Sequence, residues 1–221
     1  MNSVIKKLQT LSKYYIPIFF LIGFLIYGAS LSNHFVWDDE EQILNNGLVH
    51  SITNLPRFFQ GSTFNTSGTG SLTGIYYKPL MTVFFALFYT VFGANSFFFH
   101  LFQLVFHLAN TCLVFVLFRK IFPQDKKGSR ILAFFLSLVF LIHPINVEVI
   151  VYSSSLQDIL YLFFGLGSLL FLIKGKLTIK KALILSLLLL LSLLSKETGI
   201  IFVPVSLIYV YLFQKEKFKS L

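Results

Sequence analysis

The chain has 221 residues, 56% of them hydrophobic and 12% charged, with a mean hydropathy of +0.78. Soluble domains carry about 25% charged residues, so this composition excludes an ordinary water-soluble domain and describes a multi-span membrane protein. The formal charge of +9 is no nucleic-acid signal, because Lys and Arg gather in short clusters between apolar runs, where they act as orientation signals.

Lys6, Lys7 and Lys13 precede the first apolar run, Tyr14 to Leu31. At about 18 residues, or about 27 Å as a helix, it can just cross a bilayer core. Ser30 and Ser32 sit where a signal peptide could be cleaved, but the run is long for a signal core and further spans follow, so an uncleaved span is the favoured reading. Directly after it, NHFVWDDEEQ (33–42) places Asp38, Asp39, Glu40 and Glu41 side by side at a membrane face. Four adjacent like charges repel one another, so their concentration calls for a cation, a catalytic proton or a cationic partner.

Residues 33–96 form the longest non-spanning stretch. Thr53 or Asn54 followed by Pro56 predicts a short surface helix over Leu55 to Gln60. Gly61 to Gly74 is rich in Gly, Ser and Thr and reads as a mobile loop, suited to cover a site. The sequon Asn65-Thr66-Ser67 carries little weight, since three-residue matches arise by chance. Pro79 to Phe92 is apolar for about 14 residues, or about 21 Å, which suits an interfacial or re-entrant helix better than a crossing.

Phe97 to Phe118 is long enough to span and carries His100, Gln103, His107 and Asn110 on one helix face. Facing lipid these groups would be costly, so the stripe must face protein or a wet cavity. Cys112, the only cysteine, lies in this run, which removes a disulfide framework and a cysteine metal site. From Ile131 to Ile173 the length indicates a hairpin of two spans, turning around His143 to Glu148 and Ser153 to Asp158. Leu183 to Leu194 and Ile200 to Phe213 form a second hairpin, with Ser195 to Gly199 as its turn and Pro204 as a kink. That hairpin is too short for two full crossings, so Lys196 and Glu197 should sit below the outer surface, and a buried ionisable pair in a membrane is a functional-site candidate.

The fold class is therefore all-α, a polytopic helix bundle forming a single transmembrane domain over 1–221. Its six spans lie near 14–31, 97–118, 131–145, 153–173, 179–194 and 200–213, with an extracytoplasmic loop at 33–96. All but Arg57, Lys78 and Lys196 of the 18 Lys and Arg then fall on one side, which makes both termini cytoplasmic. The outer side holds all but Asp125 and Glu216 of the acids. The acids at 38–41, the 143–158 turn and the 195–199 turn meet on that face.

An enzyme moving a sugar from a lipid-linked donor needs a site at this boundary, because the lipid tail stays in the bilayer while the acceptor comes from water. It needs a carboxylate to take the acceptor proton or hold a cation, and a positive group for the departing phosphate. Asp38 or Asp39 can supply the first, and would also be the ligands of a divalent metal, Mg or Mn. Lys196, with Lys78 or Arg57, can supply the second. His143 and His107 can donate hydrogen bonds to phosphate, against the plainer role of packing or linking helices. Glu148, Asp158, Glu197 and His100 complete the set in supporting roles. The competing readings are a transporter or flippase-like protein, motivated by the polar stripe, and a non-catalytic subunit of a membrane glycosylation complex.

The acidic pair after the first span, Tyr77-Lys78-Pro79-Leu80, His100-x-x-Gln103-x-x-x-His107, His143-Pro144-Ile145-Asn146-Val147-Glu148 and Ser195-Lys196-Glu197 together resemble the membrane part of GT-C-fold glycosyltransferases. The pattern is most similar to the transmembrane and tetratricopeptide-repeat O-mannosyltransferase group and its bacterial relatives, over roughly 14–213. The resemblance implies a polyprenyl- or dolichyl-phosphate sugar donor, a protein or glycan acceptor, inversion at the sugar carbon, and Asp38-Asp39 in the catalytic loop. Relatives often carry an arginine shortly before the acid of the fourth span; here Leu156 stands near that place, ahead of Asp158. Such enzymes usually have more than six spans, which makes the chain a fragment, a split subunit with a membrane partner, or an inactive remnant. A bacterial plasma membrane is expected ahead of the endoplasmic reticulum.

Overall fold

The computed structural model describes residues 14–63, 76–123, 128–175 and 177–213. Among these, every regular element is helical. In chain order they are α1 (Tyr15–Tyr27), α2 (Pro79–Phe92), α3 (Ser96–Ile121), α4 (Ser129–Ile142), α5 (Val147–Val151), α6 (Leu156–Ile173), α7 (Ile179–Ser195) and α8 (Phe202–Phe213). Three helical stretches are long and apolar enough to cross a membrane: Tyr15–Ser32, Ser96–Ile121 and Ser153–Ile173. A fourth crossing is reached if Ser129–Ile142 and Pro144–Val151, bent by 48° at their junction, count as one span. Pro79–Phe92 and Glu197–Phe213 are shorter apolar helices.

The helices start and stop where local chemistry requires. Asn95 accepts a hydrogen bond from the Phe97 N–H and so caps α3. Pro79 opens α2, where its missing N–H costs nothing, and Gly93, with φ of 61°, ends it. The surface helix expected at Leu55 to Gln60 is instead a 3-10 segment, Ile52–Phe59, capped by Ser51. Pro56 in its middle cannot donate to an α-helical bond, which favours the tighter turn. Pro204, expected to kink a span, falls in the first turn of α8, where the N–H it lacks has no intrahelical partner to lose. Lys181, grouped by sequence with the orientation charges, is buried: its ammonium donates to the carbonyls of Leu172 (2.9 Å), Lys174 and Gly175 (3.0 Å), capping the end of α6.

Two apolar clusters hold the bundle. One joins α1, α3 and α4 through Phe19, Leu104, Leu108 and Leu141, with Phe19 stacked on Phe134 at 5.1 Å. The other packs α2 against α3, α6 and the 35–58 segment through Ile43, Met81, Phe85, Phe88, Phe99 and Leu160. His50 stacks on Tyr89 at 3.9 Å and Thr90 accepts from the Ile52 N–H, so the 47–59 segment is fastened to α2. Gly165 lets the Phe202 ring lie where any Cβ would collide with it, which brings α8 onto α6. The N-terminal lysines, residues 64–74 of the expected mobile loop with its sequon, Asp125, Lys126 and Lys127, Lys176 and the C-terminal charges lie outside the described residues.

Candidate active site at the helix breaks

The chain leaves α1 through the 3-10 turn Gly28–Ser32 and then makes a tight turn at Val36–Asp39, where the Asp39 N–H donates to the Val36 carbonyl at 3.0 Å. Trp37 occupies that turn with φ of 52°, the left-handed region that bulky side chains avoid. The turn is held by Asp39, which is completely buried. Its Oδ1 accepts from both the N–H (2.7 Å) and the hydroxyl (2.6 Å) of Ser154, and its Oδ2 from the N–H groups of Val36 and Ser153, each at 3.4 Å. Burial pushes the Asp39 carboxyl above its ordinary range, against the pull of these donors. Asp38, one residue earlier, stays partly exposed, and its N–H donates to the Tyr152 hydroxyl at 3.2 Å. Burial and then the charge of Asp38 push that hydroxyl up to about 12, so Tyr152 stays protonated. The two adjacent acids thus have different surroundings: one is sealed into the break between α5 and α6, the other opens outward.

The second part is an ion pair. Lys196, at the end of α7, donates to Asp158 Oδ1, in the first turn of α6, at 2.6 Å. Sequence proximity suggested Glu197 as the partner of Lys196; Glu197 is exposed, and the charge that Lys196 meets comes from 38 residues upstream. Gly199 permits this, because its α-carbon rests on the Ser192 carbonyl and folds the 197–201 turn back on α7. Lys78, partly buried before α2, holds its ammonium 4.7 Å from the Tyr76 ring. Burial lowers its pKa, and the charges of Glu197, Lys196, Asp158 and Asp38 act on it. Beside these charges an open cavity of about 490 Å³ is lined by Tyr76, Tyr77, Leu193, Leu194 and Glu197. Apart from Glu197 the cavity wall is built of aromatic and aliphatic side chains, which suits the tail of an amphiphile, and the two lysines stand outside that lining.

No family model and no solved structure matches this chain. Among curated proteins, it is 26% identical over 186 residues to a protein O-mannosyl-transferase of Caenorhabditis elegans, covering 84% of this chain and 26% of that protein. It is 32% identical over 124 residues to human protein O-mannosyl-transferase TMTC3 (56% and 13%) and 31% identical over 153 residues to human TMTC2 (69% and 18%). The chain is similar to animal protein O-mannosyl-transferases. It spans about a quarter or less of the length of these relatives, which carry the O-mannosyltransferase name that the motif pattern resembled and come from animals.

The remaining candidates take other places. His107 bonds the Leu141 carbonyl at 3.1 Å and stacks on Phe140, and Tyr27 donates to the same carbonyl at 2.9 Å, so His107 links α3 to the end of α4. Gln103 donates to the carbonyls of Val149 (3.1 Å) and Tyr152 (2.6 Å), and Asn110 to that of Ile159 (3.0 Å). Three of the four stripe residues, Gln103, His107 and Asn110, are therefore buried between helices and bond backbone carbonyls of neighbouring elements. His100 is fully buried, beside Gln103 and the backbone of Asn33 and His34, and lies within the field of Asp39. His143 is exposed and accepts from the Ile145 N–H, capping its own turn. Arg57 and Glu148 are exposed, and among the described residues no ion pair ties their side chains to the cluster. Leu156, at the place of the expected arginine, is packed in the apolar core.

All four described contacts of the Asp39 carboxylate are with hydrogen-bond donors, which leaves Asp38 as the open carboxylate of the pair, and no group of three His, Cys, Asp or Glu comes together among the described residues. Sequence reading missed Tyr152 and Ser154. The signal available was the polar run Tyr152 to Ser155 immediately ahead of an apolar helix, too polar for a span interior.

Proposed function

We propose that this chain forms the membrane-boundary site of a glycosyltransferase that moves a sugar, mannose by analogy with its relatives, from a polyprenyl- or dolichyl-phosphate donor to a protein acceptor on the extracytoplasmic side. The fold under this reading is GT-C-like with six crossings, α2 remaining re-entrant. The observation that carries it is the Lys196–Asp158 ion pair, with Lys78 in the field of both charges and of Asp38, next to an apolar cavity. The donor's tail lies along Leu193, Leu194 and Tyr77, and its phosphate meets Lys78 and Lys196. Asp158 accepts a hydrogen bond from one N–H of the Lys196 ammonium and leaves the other two N–H groups for phosphate oxygens.

The reaction needs no metal in this reading. The acceptor hydroxyl attacks the sugar's anomeric carbon while Asp38 takes its proton; the carbon–oxygen bond to phosphate breaks, and the two lysines stabilise the charge that leaves with the lipid phosphate. A single displacement inverts the sugar carbon. Tyr152 fixes the Asp38 backbone and Asp39 anchors the turn.

The test separates the two acids. Asp38→Asn should lower transfer from a polyprenyl-phosphate mannose by about 100-fold or more, with the thermal midpoint unchanged, because it removes only the base. Asp39→Asn should lower the thermal midpoint as well, since its amide nitrogen would face the Val36 and Ser153 donors. Unchanged transfer in Asp38→Asn would remove that residue from the chemistry.

A further inference from the structure

Trp37 is the only tryptophan in the chain, and it is 80% exposed. An aromatic residue in the left-handed region is strained, because its Cβ crowds the following carbonyl, and such strain persists only where the surroundings over-determine it. Here they do: Asp39 accepts from Val36 and from Ser153 and Ser154, clamping the turn on both sides of Trp37, and the indole meets the Tyr152 ring edge-on at 5.9 Å. The clamp does not bury the ring. It holds the indole out beside Asp38, fixed through the same tyrosine whose hydroxyl receives the Asp38 N–H.

A ring serving only as a membrane anchor needs no strained backbone, and its chain neighbours would be poorly chosen for an anionic lipid surface, since Asp38, Glu40 and Glu41 flank it. Nor does Trp37 line the cavity assigned to the donor. We propose that Trp37 is the acceptor platform: its indole packs against the polypeptide segment bearing the acceptor Ser or Thr and presents that hydroxyl to Asp38, with basic residues of the segment favoured by the flanking carboxylates. This inference rests on the transferase reading for the identity of the acceptor, but binding can be read without turnover.

The full chain in phosphatidylcholine nanodiscs built with a tryptophan-free scaffold protein reports through Trp37 alone, so its emission is a direct probe. A capped decapeptide with a central threonine flanked by lysines should shift that emission to the blue in a saturable way, also in Asp38→Asn, which binds but does not transfer. Brominated phosphatidylcholine in the disc should leave the emission unquenched. Trp37→Ala should raise the KM for the peptide about tenfold with the donor KM unchanged, and Trp37→Phe should recover part of the loss. Quenching by brominated lipid without a response to peptide would make Trp37 an interfacial anchor and overturn the proposal, as would an unchanged peptide KM in Trp37→Ala. A peptide-induced shift without any transfer would keep the platform and sink the transferase reading instead.

Discussion

At the scale of single residues, one step along the chain decides between two chemistries. Asp38 and Asp39 are indistinguishable in sequence, yet the turn at Trp37 sends the second carboxylate into four donors and leaves the first facing outward. A comparable division separates the basic residues. Lys78 is partly buried and its pKa lies below the ordinary 10.5, because burial disfavours the charged amine; Arg57 stays in solvent. As pH rises, Lys78 loses its charge earlier than a solvated lysine does. Donor affinity should therefore weaken on the alkaline side below pH 10.5, and Lys78→Arg, which stays charged, should flatten that limb. A donor-binding pH titration checks it: an unchanged alkaline limb in Lys78→Arg would take Lys78 off the phosphate.

At the scale of elements, the site depends on broken helices whose loose ends have been satisfied. Interrupting a helix in a membrane exposes carbonyls that lipid cannot serve. Gln103 serves those of Val149 and Tyr152, while His107 and Tyr27 share that of Leu141. Gln103→Leu should cost about 1–3 kcal/mol, read as a lowered thermal midpoint in detergent, and should also reduce transfer, since the Ser153-Ser154 anchor of Asp39 lies on that break. His107→Leu should cost less, because Tyr27 still donates to Leu141. Equal effects would refute this ranking. The stripe's presence and its inward face were legible in its spacing of 3, 4 and 3. Its targets were not, since they lie 34 to 49 residues away in sequence.

At the scale of the whole molecule, six crossings would place the 38–41 acids, Lys78 and the 195–199 turn on one face. Three helical stretches are long enough alone, and a fourth crossing follows if the bent pair is a single span. In a Cys112→Ser background, cysteines placed at Glu40 and Glu197, both exposed, should react with a membrane-impermeant maleimide from the extracytoplasmic side, and a cysteine at Ile121 from the other. Labelling of positions 40 and 197 from opposite sides would dissolve the shared site.

What the sequence determined by itself was the membrane class, the apolar runs and the points where they stop, because desolvation of backbone and charge acts on each segment separately. The short α2, the break after Ile142 and the turn at Ser195 to Gly199 could all be read in this way. Only the tertiary structure decided that Lys196 meets Asp158 rather than Glu197, that Asp39 is an anchor sealed by Ser154, and that Trp37 stands outside in a strained turn. Pairing between distant segments depends on how helices pack and on one-residue changes of direction at their breaks, and local composition carries no record of either.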